Sequence, residues 1–152
     1  MTFGLNLANI TNSIATISVT GVTIKDKDEV VGNWTPLPNV LYPNPNNWIS
    51  DFEIGYVTNL RGSTAKADIS YTLNYRFLGT QSGDLATFPV ALSALVDKVI
   101  LIINAIFAVH APYSGKVDME LVGISSPGPL PDPAGNLFFG CDIALRITEQ
   151  QN

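Results

Sequence analysis

The sequence predicts an α+β fold: a mainly antiparallel sheet of about four to five strands packed against one long helix, with a further helix near the N-terminus. Three observations carry that expectation. Ile69, Tyr71, Leu73, Tyr75 and Phe77 alternate with Asp68, Ser70, Thr72, Asn74 and Arg76, and sustained period-two patterning marks a half-buried antiparallel strand. Phe139, Cys141, Ile143, Leu145 and Ile147 repeat the pattern near the C-terminus, with Asp142, Arg146 and Thr148 between them. Leu92, Leu95, Val96, Val99, Ile102, Ile103 and Ile106 recur instead at spacings of three and four, the helical period.

Taken in order, Phe3, Leu7, Ile10, Ile14 and Ile17 lie on one helical stripe, and Gly21 ends that helix. Val22 to Lys25 reads as a short strand and Lys25 to Glu29 as a charged turn. Trp34 to Trp48 holds Pro36, Pro38, Pro43 and Pro45 among several asparagines. Proline removes a donor and fixes φ, so this segment is expected to be an extended loop rather than a helix or central strand. Phe52, Ile54 and Tyr56 then alternate with Glu53, Gly55 and Val57 in a strand. A turn at Asn59 to Ser63 leads into the clean strand over 68–77, and Gly79 to Asp84 is the next turn.

Pro89 suits the first turn of the long helix, where its missing N–H is no loss, and Pro112 and Gly115 close it. Val117, Met119 and Leu121 alternate with Asp118 and Glu120 in a further strand. Pro127 to Gly135 is a proline-rich loop ending in the turn Asp132-Pro133-Ala134-Gly135-Asn136, and the last strand runs from Leu137 to about Thr148. No repeat and no composition break divides the chain, so residues 1–152 are expected to form a single domain.

Composition narrows the function classes. Charged residues are 14% of the chain and hydrophobic ones 46%, with a mean hydropathy of +0.23. A water-borne chain this poor in charge exposes apolar patches, and those mark interaction surfaces, which predicts an oligomer. The net charge of −5 and basic residues scattered from Lys25 to Arg146 offer no grip for sequence-specific binding of nucleic acid. The N-terminus carries no basic, apolar leader, and the stretch Val99 to Val109, interrupted by Asn104, is too short to span a membrane. The expectation is a chain without a membrane partner.

No catalytic site is predicted, and no cofactor or metal. Cys141, the one cysteine, sits within an apolar alternation and reads as a small buried hydrophobe. His110, the one histidine, ends the long helix, where it complements the dipole. One His and one Cys cannot make an ordinary zinc site. Ser114-Gly115-Lys116 lacks the rest of a phosphate loop, and no Gly-x-Ser-x-Gly elbow is present. Asp26/Asp28, Asp51/Glu53 and Asp118/Glu120 could each hold a cation, but solvated strand faces and turns account for such pairs.

Three stretches together carry a resemblance: Leu41-Tyr42-Pro43-Asn44-Pro45, Tyr71-Thr72-Leu73-Asn74-Tyr75-Arg76-Phe77-Leu78, and Asp132-Pro133-Ala134-Gly135-Asn136 leading into Phe139-Gly140-Cys141. They resemble the tail terminator, or tail-completion, proteins of long-tailed bacteriophages, over about Val22 to Glu149. The resemblance implies a structural virion protein made in the host cytoplasm. Its form would be a homo-oligomeric ring, usually six-fold, capping the head-proximal end of the tail tube. Its partners would be the tail tube protein and a neck or connector protein, with DNA passing through the lumen. A head-completion or neck connector protein is the alternative within that class.

Outside the class stand a small carbohydrate- or peptide-binding module, with Trp34, Tyr42 and Trp48 as an aromatic platform, and a metal-dependent hydrolase built on the carboxylate pairs. Under the ring reading, Trp34, Leu41, Tyr42 and Trp48 are the candidate interface residues, because buried aromatic residues dominate interface energetics.

Overall fold

A computed structural model describes residues 5–30, 34–58, 65–110 and 117–151. Its elements in chain order are helix α1 (Leu7–Ala15), β1 (Thr23–Ile24), a 3-10 turn (Lys27–Glu29), β2 (Val40–Pro43), β3 (Ile49–Thr58), β4 (Ala65–Gln81), helix α2 (Phe88–His110), β5 (Val117–Ile124), β6 (Gly128–Pro131) and β7 (Leu137–Gln151). Expectations for Phe3, the turn at 59–63, Ser114-Gly115-Lys116, the helix closure at Pro112 and Gly115, and the side chains of Tyr56, Val57 and His110 lie outside the described residues.

The two clean alternations become the two longest strands, and they pair with each other. β4 lies antiparallel to β7, with Tyr71 beside Ile147, Leu73 beside Leu145, Tyr75 beside Ile143 and Phe77 beside Cys141. All eight are buried on one face. β2 and β3 share the far edge of β4, at 75–78 and 65–73 respectively. β5 and β6 share the far edge of β7 in the same way. β1 completes the sheet, parallel to β2.

The sheet therefore has seven strands, more than the four to five expected. The two that proline content concealed are β2 and β6. Leu41 accepts a hydrogen bond from the Lys25 amide, so its backbone polar groups face β1. Pro43 stands two residues on, and its missing N–H points the same way, past the end of β1 and away from β4. Asn39, with φ at 53°, turns the chain into β2 in the left-handed conformation that asparagine tolerates. Among the described residues β6, with Pro129 and Pro131, pairs only with β7, an edge position where proline costs no ladder bond.

Both helices cover the same face. Leu95, Val99, Ile102 and Ile106 of α2 join the core, with Ile103 partly buried beside them. The expected face is therefore rotated slightly, and Val96 lies exposed. α1 is shorter than its stripe suggested; Ile10 and Ile14 are buried, and its Ile14–Ala15 end lies by Ile24, Leu41 and Tyr75. Thr11 is buried too, its hydroxyl donating to the carbonyls of Leu7 and Ala8.

At one end the sheet is covered on both faces. Trp34, Val40, Tyr42, Leu78 and Phe138 form a second cluster, with Val30, Leu37 and Leu130 around it. Gly140 sits where the two layers close: a Cβ there would run into the Phe77 carbonyl oxygen and lie 2.8 Å from Leu78 Cδ2.

Three outcomes follow for denaturant titration. Leu73→Ala, at a fully buried central position, should cost about 2–5 kcal/mol. Gly140→Ala should cost about 1–3 kcal/mol through overpacking rather than cavity formation. Deleting residues 39–46 should abolish cooperative unfolding, because it removes β2 and the support of β1; a folded deletion variant would show that β2 is dispensable.

Candidate functional site

The residues singled out for an interface lie mostly inside the chain. Trp34 is only 8% exposed, and Leu41 and Tyr42 are buried. Trp34 packs on Tyr42 with ring centroids 5.0 Å apart. Trp48 is half-buried. The segment from Trp34 to Trp48 thus folds onto its own sheet, and its aromatic side chains form no open platform. Among the described residues, the indole N–H of Trp34 is buried without a hydrogen-bond partner.

Beside this segment lies a cavity of about 330 Å³ lined by Tyr42, Asn46, Arg76, Pro131 and Asp132 among others. Arg76 and Asp142 are cross-strand neighbours. The guanidinium donates from Nε to Oδ1 at 2.8 Å and from Nη2 to Oδ2 at 3.2 Å. This carboxylate raises the Arg76 pKa further. Asp132 is buried and accepts from the amides of Ala134 and Asn136, which fixes the expected turn. Gly135 completes that turn at φ 90°. Arg76 and Asp142 satisfy each other, and Asp132 is engaged by its own turn.

A second polar centre was not singled out in the sequence. Glu149 is 1% exposed. Its Oε2 accepts from the Tyr71 hydroxyl at 2.6 Å, and its Oε1 from the Asn6 amide at 2.7 Å and Asn6 Nδ2 at 3.1 Å. It ties the residue before α1 to the last strand. Its signal was parity: 139, 141, 143, 145 and 147 point inward, so 149 does as well.

The carboxylate pairs do not converge. Asp26 caps the 3-10 turn, and its amide, with Lys25 nearby, holds Glu29 below the usual carboxylate range. Glu53 faces Arg146 at 3.6 Å. Asp118 and Glu120 pair with Thr148 and Arg146 on the helix-free side of the sheet. Among the described residues no three His, Cys, Asp or Glu side chains lie together in a way that could hold a metal. Burial, and then Asp142, push the Cys141 thiol up to about 11, so it stays protonated and inert.

What remains is surface. α2 leaves Val90 (76% exposed), Val96 (42%), Ile100 (53%) and Leu101 (50%) in solvent. Ile49, Phe52 and Ile54 on β3, and Leu121, Val122 and Ile124 on β5, are exposed as well. Around the start of α2, a shallow apolar groove of about 580 Å³ is lined by Leu85, Phe88, Pro127, Pro129 and Phe139. Taken whole, Phe88–Val109 is long and apolar enough to cross a membrane by length and composition, which the stretch 99–109 alone is not. Only 22% of its most apolar window is buried against the rest of the chain. The chain matches no family model and no curated protein sequence.

Two measurements check the polar centres. Glu149→Ala strands the Tyr71 hydroxyl and the Asn6 amide, and should cost about 3 kcal/mol. Tyr42 is pushed up to about 12 by burial, and Tyr71 and Tyr75 rise mainly for the same reason. Unfolded tyrosine ionises near pH ~10. These folded-state values are raised, so their contribution is fully present below pH ~10 and is lost as pH climbs towards 12. Denaturation midpoints should hold steady up to pH ~10 and then fall, with tyrosinate absorbance appearing as the chain unfolds.

Proposed function

We propose that the chain is a structural subunit of a long-tailed bacteriophage virion, a tail terminator that assembles as a homo-oligomeric ring on the head-proximal end of the tail tube and joins it to the neck. The observation that carries this reading is the apolar surface that one copy leaves uncovered on α2 and at both sheet margins. Contiguous exposed apolar surface marks a site of protein association. Its distribution around the sheet suits a subunit touched on two sides, as ring closure requires. The resemblance of the three sequence stretches supplies the station in the virion.

Competing readings fare worse on physical grounds. A carbohydrate- or peptide-binding platform needs Trp34 and Tyr42 in solvent, and both are buried. A membrane span through α2 would bring Asp97 and Lys98 into the bilayer, at a cost of roughly 2.5–3.5 kcal/mol each near its centre. It would also strip the sheet of the cover that Leu95, Val99, Ile102 and Ile106 provide. A protein partner covers the exposed stripe without either penalty.

The helix-free face of the sheet fits the same role. It carries Glu53, Asp68, Asp118 and Glu120 with Arg146 among them. Turned towards a lumen, such a face repels phosphate and lets DNA pass without sticking.

Light scattering of the purified protein across a wide concentration range, with imaging of the particle that carries it, tests the proposal. Rings at the top of the tail tube are the expected result; a strict monomer in both settings would sink it. Ile54→Glu, at an exposed site on β3, should remove assembly while changing monomer stability by less than about 0.5 kcal/mol.

A further inference from the structure

We infer that copies of this chain join margin to margin, β5 of one subunit adding as an antiparallel strand to β3 of the next. This rests on the ring reading and names its contact. Ile49 stands beside Leu73, Leu73 beside Leu145 and Leu145 beside Leu121, so β3, β4, β7 and β5 run level across the sheet. Among the described residues β3 pairs only with β4, and β5 only with β7, leaving both outer backbones bare at the same height. β1 extends the sheet only beside Val40 and Leu41, which lie level with Phe77 and Leu78, and so does not screen β3.

Strand direction fits the join. β3 and β7 run one way, β4 and β5 the other. A neighbour generated by rotation about an axis along the strands keeps those directions, so its β3 meets β5 antiparallel. The two margins are different surfaces of one chain, which makes the contact heterologous and able to close a ring. Ile49 and Ile54 pair with core residues and Phe52 stacks on Tyr71 at 5.9 Å, so all three sit on the helix-bearing side. Met119, Leu121 and Ile124 do the same on β5 through Ile147, Leu145 and Ile143. Joining the margins makes these two apolar rows cross-strand neighbours. The occupant is therefore a second copy: each margin offers what the other lacks, a bare ladder and a matching apolar row.

On the opposite face the join places Glu53 near Asp118 and Glu120, and like charges across a strand pair repel. A bulge interrupts each margin, between Ser50 and Glu53 and between Leu121 and Gly123. Acidic side chains and bulges guard lone edges against chance pairing. The sign of the salt effect follows: raising ionic strength from ~0.1 M to ~1 M screens the repulsion and should strengthen assembly, whereas an interface held by ion pairs would weaken.

The test uses the full chain with Glu53→Cys and Glu120→Cys together, each also alone. Glu53 is 77% exposed in its side chain and Glu120 is exposed, so circular dichroism should match the parent; Cys141 is buried and takes no part. After treatment with a short bis-maleimide, the double variant should give a ladder of covalent multimers and each single variant none, while the parent chain, which keeps both glutamates, should assemble more strongly in light scattering as salt rises. Dimers from a single variant would mean that a margin pairs with its own kind, which overturns the inference. Oligomers in light scattering without a ladder, or assembly that salt weakens, would overturn it while leaving the ring reading intact. Monomers under every condition would overturn both.

Discussion

Everything in this fold hangs on the pairing of β4 with β7. They are the two longest strands, and each presents its apolar parity to the same side, so the ladder between them builds a continuous hydrophobic floor before any helix is added. Both far edges of that ladder are then shared between two shorter strands. The helices have one place to go, across the floor. Burial of Tyr71, Leu73, Tyr75, Phe77, Cys141, Ile143, Leu145 and Ile147 is thus a consequence of register, since a one-residue slip of either strand would turn its own four to the acidic side.

That floor was legible because alternation is a local signal. The parity of 69–77 and of 139–147 fixes which side chains point inward without knowledge of the partner strand. β2 and β6 were hidden for a physical reason: proline argues against a strand only where its N–H is needed. Pro43 faces past the end of β1, and Pro129 and Pro131 lie on an edge. Which donor points at nothing is a property of the assembled sheet, not of the segment. Two of the interface candidates, Leu41 and Tyr42, lie inside for the same reason. Once Val40 to Pro43 is a strand of the sheet, Leu41 and Tyr42 have their two faces covered, one by the main core and one by Trp34 and Phe138.

Parity also found the inward side of β3 and β5 but not their exposure. Phe52, Ile54 and Leu121 point to the helix-bearing side as expected, yet α2 lies over β4 and β7 and does not reach the margins. A sequence gives the direction of a side chain more readily than the extent of what covers it. Glu149 is the converse case. Its parity placed a carboxylate in the core, and only the approach of Asn6 and Tyr71 makes that tolerable by filling both oxygens.

The two faces of the sheet therefore divide the chain's unusual composition between them. Few charged residues are available, and Glu53, Asp68, Asp118, Glu120 and Arg146 are gathered on the helix-free face. The helix-bearing side has more apolar surface than two helices can cover. On the ring reading, the apolar surplus at the margins is what joins one copy to the next sideways, and the acidic face stays free. Sideways joining by rotation keeps every acidic face on the same side of the wall, which is what a passage for a polyanion needs. The like charges that make such a wall slippery are the ones that would oppose its formation at the strand margins. On the ring reading, assembly and passage pull the acidic residues in opposite directions, and the apolar rows on β3, β5 and α2 decide the balance.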